Sequence, residues 1–397
     1  MTNDKKKVYL VAYACAPNQG GEHEVGWRIA DELKGKCDLE VVTRISYPRN
    51  DANGIKFKDI ENNLFLFLKP RNGFSYLYYV FWQISVFLYL RKVVKKQEIV
   101  HYITFGNLHL PHFLFLLKSK LIVGPMGGGS VMDPLLMETA PLKEKLRFYV
   151  HTIVNLSVRF NPIYHLLFYK SKKIILRTEE TLSIVPSMYH NKCSVFLETG
   201  VSVKNINSSN KQRRLKKIIS TGRIIHSKNF DQAIQIFQKL SFNMNEKLEF
   251  CIFGDGPLRK SFEKRYKHVE GLRFLGRISH NEIDALLQEA DLFLFCSIKE
   301  GGSHSLFEAA INNIPIACYD ISGMKEFPRS DASIKIEPTH NIQDNIERLA
   351  QKIMEAFKEE EKINQICLNA INDLKSNYTW DLKAKKYLYI YDEVRKN

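Results

Sequence analysis

At 397 residues and 45% hydrophobic content, the chain can bury a large core and is long enough to split into two domains, or three. Its formal charge of +15 is uneven: residues 1–200 carry 27 Lys and Arg against 17 Asp and Glu, which turns the N-terminal half toward an anionic partner. No zinc-finger spacing, RNP-like aromatic signature or KH-type Gly-x-x-Gly loop accompanies that charge, so nucleic acid is excluded as a partner; seven cysteines without a Cys-x-x-Cys spacing exclude a disulfide framework and fit a reducing, cytoplasmic setting.

The basic opening runs into a short apolar stretch that alternates as a strand does and lacks a cleavage-type ending, so it reads as a first strand and not a targeting segment. From there strand-like runs alternate with helical patterns, the signature of repeated β-α units around parallel sheets. One set of strands is expected at Val8–Ala14, Leu39–Thr43, Leu64–Leu68, Ile99–Ile103, Leu121–Gly124 and Ile174–Arg177. A second is expected at Lys217–Ser220, Leu248–Phe253, Leu272–Leu275, Asp291–Phe295, Pro315–Cys318 and Ser333–Ile336. The stretch 200–215 between them is polar and rich in Asn, Ser and Lys, as a linker is. Two similar α/β domains facing across a cleft follow, residues 1–200 and 201–378.

In the first half, Gly20, Gly21 and Glu22 come after the first strand at a helix start, where the loop could lie against a phosphate or an acceptor or be an ordinary βα turn. The run 74–90 has 17 residues, eight of them aromatic, interrupted by Ser75, Gln83 and Ser85. It falls short of the roughly 20 apolar residues of a spanning helix. With Arg71, Arg91, Lys92, Lys95 and Lys96 on its flanks it could lie in an anionic membrane interface, or pack internally against the sheet. His101, Thr104 and His109 surround a strand end and could reach the cleft, a structural role for either histidine being the alternative. Four glycines between Gly124 and Gly129, Gly127 and Gly128 among them, exceed what turn geometry needs and suggest a ligand-facing loop.

The second half is more pointed. In STGRIIHSKNFDQAI, Arg223 and Lys228 stand between a strand and a helix, two cations at one sheet edge suited to a diphosphate. Gly254 and Gly256 then form only Gly-x-Gly, without the third glycine of a dinucleotide fingerprint, so NAD is a weak reading and a tight turn suffices. The most informative stretch is DLFLFCSIKEGGSHSLFE at 291–308: a buried strand, a break at Gly301 and Gly302, and a helix start bracketed by Glu300 and Glu308. Ser303 or Ser305 could cap that helix, whose amides favour phosphate while the glutamates accept from sugar hydroxyls. The same Glu spacing recurs at Glu24/Glu32, Glu32/Glu40 and Glu347/Glu355, where it reads as solvated helix or strand faces.

Taken in order, these segments resemble the retaining GT-B glycosyltransferases of family 4, bacterial surface-polysaccharide type, over nearly the whole chain. The resemblance is carried by Gly222-Arg223 with Lys228, the GDGPLR turn, FLGRIS at 274–279 and Glu300 to Glu308 followed by Ala309. Gly20-Gly21-Glu22 with Gly26-Trp27, and Gly124 to Gly129, match more loosely. The resemblance implies two Rossmann-like β/α/β domains and a C-terminal helix, 379–397, returning to the N-terminal domain on Trp380 and the tyrosines at 387, 389 and 391. It implies that Arg223 and Lys228 neutralise the donor diphosphate, Glu308 holds the ribose, Glu300 with the 301–303 backbone holds the sugar, and Arg277 and Ile278 lie beside the base. The family often has Gly where Ser303 stands. Many members also place a His after an N-domain strand, where this chain has Pro125 and Met126, so His101 and His109 are candidates by proximity.

The expectation is a cytoplasmic glycosyltransferase at the inner face of the cell membrane, moving a sugar with retention from a UDP- or GDP-type donor to a glycan or polyprenyl-diphosphate-linked acceptor. No cofactor and no metal are expected, since the sequence contains no Asp-x-Asp pair. Glu22, His101, Thr104, His109, Gly127 and Gly128 are the acceptor-side candidates. A GT-B sugar-nucleotide epimerase and a non-catalytic partner subunit are the alternatives.

Overall fold

The structure, a computed structural model, describes residues 6–17, 21–44, 54–61, 75–110, 112–130, 136, 140–203, 213–244, 247–278 and 280–396. Its strands form two sheets, parallel throughout. The first contains β1 (Lys7–Ala12), β2 (Asp38–Thr43), β3 (Lys56–Asp59), β4 (Ile99–Thr104), β5 (Lys120–Met126), β6 (Ser171–Leu176) and β7 (Cys193–Val195), in the order β3-β2-β1-β4-β5-β6-β7. The second contains β8 (Lys217–Thr221), β9 (Glu249–Phe253), β10 (Leu272–Gly276), β11 (Leu292–Phe295), β12 (Ile316–Tyr319) and β13 (Ile334–Ile336), in the order β10-β9-β8-β11-β12-β13. In both, the strand order reverses beside the first strand, between β1 and β4 and between β8 and β11. Ligands of doubly wound sheets bind at the carboxyl ends of such a pair.

Eleven of the twelve expected strands are present, ten with ends within two residues and β6 starting three residues earlier than expected, at Ser171; Leu64–Leu68 lies outside the described residues. The strands β3 and β7 were not expected. Both are sheet edges: KFKD carries two lysines on half-exposed backbone and CSV is three residues long, so neither offers the apolar run that marks a central strand.

The chain divides into two compact units, residues 1–129, 153–200 and 380–397 in one and residues 130–152 and 201–379 in the other. In the first, strand alternation feeds two core layers. Val8, Leu10 and Ala12 of β1 pack with Trp27, Leu33, Tyr387 and Tyr391, while Tyr9, Val11 and Tyr13 pack with Tyr78, Trp82 and Val86. Trp380, Tyr387 and Tyr391 of the Trp380–Lys396 helix are buried there, but Tyr389 is 70% exposed and contributes no packing.

The helix Tyr76–Val93 buries Tyr78, Tyr79, Trp82, Gln83, Val86 and Leu90 in this core, so one face of the aromatic run is internal; Arg71 and Phe74 lie outside the described residues. Among the described residues no helix is long and apolar enough to cross a membrane.

Two of the acceptor-side candidates are core residues. His101 is fully buried; its Nε2–H donates to the Gly124 carbonyl at 2.8 Å and its Nδ1 accepts from the Tyr391 hydroxyl at 2.7 Å, so no ring atom is left for chemistry. Thr104 is equally buried, its hydroxyl accepting from the Ala14 amide at 3.1 Å. Proximity to a strand end identified both, but β4 points them inward.

Burial pushes His101 down to about 4, the Gly124 carbonyl partly opposing, and burial alone does the same to His112. Below the ordinary value of about 6.5 the unfolded chain takes up protons that the folded one refuses until about pH 4. Stability is therefore complete above that range and lost as pH falls, by on the order of 2 kcal/mol per histidine at about pH 5. All three tryptophans, Trp27, Trp82 and Trp380, lie in the first unit, so urea unfolding followed by tryptophan fluorescence reads that unit alone. The loss between neutral pH and pH 5 should shrink by about 2 kcal/mol in His112→Phe; equal losses in both proteins would refute the assignment.

Candidate functional site

The second unit gathers its candidates at the β8/β11 reversal. After β8 the chain turns at Gly222 (φ 146) and passes the exposed Arg223 to Lys228, in a short 3-10 turn that ends at Asn229 with left-handed backbone (φ 53). After β11 it reaches Glu300. The two loops meet there: Lys228 Nζ makes an ion pair with Glu300 Oε2, at side chains 18% and 14% exposed, and Lys228 lies 5.1 Å from the Phe295 ring centroid. A cation and a carboxylate are thus held together, largely shielded from water, at the edge where a ligand is expected.

The pair is built in from both sides. The Ser297 hydroxyl lies 3.2 Å from Glu300 Oε2 and 3.0 Å from the Ser227 carbonyl, tying the loops a second time. Ser322, with left-handed backbone (φ 51), accepts from the Glu300 amide at 3.1 Å and donates to its carbonyl at 2.7 Å. Sequence reasoning missed both serines. Ser297 sits between the strand and Glu300 and was open to notice; Ser322 comes from the loop after β12 and gave no sign.

Glycines let these loops close on one another. Gly254 has φ 133, and a Cβ there would lie 1.9 Å from the Gly222 carbonyl oxygen; one at Gly256 would lie 2.3 Å from that of Ile224. Their role is close packing of the loops after β8 and β9, which explains Gly-x-Gly without a cofactor. At Gly301 an added Cβ meets nothing within 4 Å, so that backbone is open to an incoming ligand. Arg277 is exposed and Ile278 half-buried just beyond β10.

The helix His304–Ile311 starts at Ser303 without a side-chain cap. The expected capping bond is absent because the Ser303 and Ser305 hydroxyls bond each other at 2.7 Å. Glu308 is half-buried in the second turn of this helix.

The first unit gives its candidates structural work. Both oxygens of Glu22 are engaged, Oε1 by Arg177 at 2.5 Å and Oε2 by the Phe105 amide at 3.0 Å. Arg177 also pairs with Glu198 at 3.1 Å. Burial opposes the Arg177 charge, but Glu198 and Glu22 outweigh it and hold the guanidinium protonated. Gly21 opens its helix with φ 51 and Gly20 is outside the described residues.

The 124–129 glycines serve close approach. A Cβ would lie 2.0 Å from the Ile175 carbonyl oxygen at Gly124, 2.5 Å from Asn107 Oδ1 at Gly128, and 2.5 Å from the Thr181 Cα at Gly129. The Gly127 amide donates to the Gly106 carbonyl at 2.6 Å. His109 alone keeps a half-buried ring beside this loop, with Nε2 2.7 Å from Asn155 Oδ1.

Residues 202–373 match the family profile described as glycosyl transferases group 1. The chain is similar to a 2-deoxystreptamine N-acetyl-D-glucosaminyltransferase of Niallia circulans, 32% identical over 127 residues, 31% of this chain and 32% of that one. It is also similar to the GalNAc-α-(1→4)-GalNAc-α-(1→3)-diNAcBac-PP-undecaprenol α-1,4-N-acetyl-D-galactosaminyltransferase of Campylobacter jejuni, 33% identical over 94 residues, 23% of this chain and 25% of that one. The chain thus spans about a third or less of the length of these two curated relatives. Among solved structures it resembles sucrose-phosphate synthase from Thermosynechococcus elongatus, with a TM-score of 0.68 and 11% identity over 98% of this chain and 99% of that one. The fold is GT-B, and residues 202–373 carry a glycosyl transferases group 1 domain.

Proposed function

We propose that the protein is a retaining, metal-independent glycosyltransferase of the family 4 type, taking a UDP- or GDP-linked sugar on its second unit and passing it to a glycan or polyprenyl-diphosphate-linked acceptor on its first. The observation that carries this reading is the meeting of Lys228 and Glu300 at the strand reversal of the second sheet, beside an open Gly301 and a helix start without a side-chain cap. A diphosphate entering there is drawn by Lys228 as a point charge and by Arg223 as a bidentate fork. Competition for Lys228 releases Glu300 from its partner, and the carboxylate then accepts from the donor sugar's hydroxyls. Glu308 accepts from the ribose, and Arg277 and Ile278 flank the base.

Catalysis in this reading rests on charge and position. Cations and helix amides stabilise the departing diphosphate as charge builds on it, and the acceptor hydroxyl approaches on the face the donor leaves, its proton passing to a leaving phosphate oxygen. His109, oriented by Asn155, is the acceptor-side residue that retains a place in this scheme. The Campylobacter relative, whose name specifies an undecaprenol-PP-linked glycan, supports a lipid-linked acceptor. With such an acceptor the enzyme works at the inner face of the cell membrane, in peripheral contact with anionic lipid.

Glu308→Ala should weaken nucleoside diphosphate binding by roughly 2–4 kcal/mol, because a ribose contact contributes alike in ground and transition states. Calorimetry giving equal affinities for mutant and wild type would remove Glu308 from the site. Glu300→Ala should instead lower kcat and leave binding of the bare nucleotide nearly intact; an unchanged kcat would dismiss it.

Two cations already placed for the diphosphate leave no task for a divalent ion. Turnover should therefore survive EDTA, and activity abolished by chelation and restored by magnesium or manganese would contradict that.

A further inference from the structure

The helix Leu142–Ser157 is inside out. A helix on a soluble protein turns its apolar stripe to the core and its charges to water. Here Leu142, Leu146, Tyr149, Ile153 and Leu156 recur every three or four residues along one face, and they are 81%, 63%, 62%, 66% and 50% exposed. The only buried residue of the helix is polar: Asn155 donates to the Gly129 carbonyl at 3.0 Å and bonds His109. Polar attachment to the protein and an apolar face to the outside is an arrangement that water alone does not favour. Phe160, 81% exposed, continues the stripe beyond the helix.

Charge identifies what covers it. At about 100° per residue, Lys143 and Arg147 fall along one border of the stripe and Lys145 along the other. Residues 141–172 hold six Lys and Arg against a single acid, Glu144. Two copies of the chain packed stripe to stripe would bring like charges together, whereas an apolar strip bordered by cations matches the boundary between anionic headgroups and acyl chains. The helix has 16 residues, fewer than the roughly 20 of a spanning helix, so it would lie in the plane of the surface.

The Tyr76–Val93 helix is the weaker candidate for the same role, because six of its residues are committed to the core. We propose that the 142–157 helix is the surface by which this protein docks on an anionic bilayer. The proposal rests on the peripheral membrane contact of the function proposed above and assigns its location.

Flotation with equimolar phosphatidylglycerol and phosphatidylcholine vesicles tests it, using the full chain. Wild type should float, weakly with phosphatidylcholine alone and less as salt rises from about 0.05 to about 0.5 M. Leu146→Glu/Ile153→Glu should lose binding about tenfold or more, and Lys143→Glu/Arg147→Glu should lose it on anionic vesicles only. These side chains are exposed, so the unfolding midpoint followed by far-ultraviolet circular dichroism, which reads both units, should not move, and an unmoved midpoint assigns any lost binding to the surface.

Three results would overturn the docking surface: wild type that stays with the soluble fraction, a Leu146→Glu/Ile153→Glu variant that floats as wild type does, or a wild-type dimer that the same variant dissociates in light scattering, which would give the stripe to a second copy. Calorimetry with UDP and GDP on the same samples separates the two readings. Vesicle binding without nucleotide binding would sink the transferase and keep the surface, and nucleotide binding without vesicle binding would do the reverse.

Discussion

The ion pair between Lys228 and Glu300 is the contact on which the proposed donor site depends. Parallel strands β8 and β11 are neighbours in the sheet but far apart in sequence, and contacts made by their outgoing loops fix where those loops stand. The pair does this at side chains that are largely shielded, where removing one partner strands the other's charge in a poorly solvated place. Ser297 and Ser322 hold the carboxylate and its backbone, so the geometry is set before a ligand arrives. In the function proposed above, an anion that attracts Lys228 would loosen the carboxylate beside it.

The first unit places a comparable ionic cluster to a different end. Arg177 lies between Glu22 and Glu198, and through Glu22 it reaches the Phe105 amide, whose residue has left-handed backbone (φ 54) at the end of β4. A charge with two partners and a tight glycine-packed loop make a rigid edge, not an exchangeable one. The half-buried His109 lies beside that loop, its Nε2 2.7 Å from Asn155 Oδ1.

The architecture was legible in the sequence wherever a strand is buried on both faces, because an apolar run bounded by glycine or a charge has few other meanings. Edges were not legible: KFKD at β3 looks like surface because, at the edge of the sheet, it is surface. The residues proposed for the donor side stood out for the same reason as the strands, since Glu300, Gly301 and Gly302 break a buried run. Glycine density at 124–129 also has a packing cause that sequence cannot display, since a Cβ at Gly124, Gly128 or Gly129 would run into Ile175, Asn107 or Thr181. His101 and Thr104 misled, because nearness to a strand end does not say which way a side chain points. Ser322 arrives from another strand and was beyond any local pattern.

Hydrogen–deuterium exchange on adding UDP- and GDP-sugars tests most directly whether the edge of the second sheet takes the donor. Protection confined to the segments 222–228, 276–278 and 299–308, abolished by Lys228→Ala, is the expected result. Protection centred on 21–26 or 124–129, with the 299–308 segment unchanged, would contradict it.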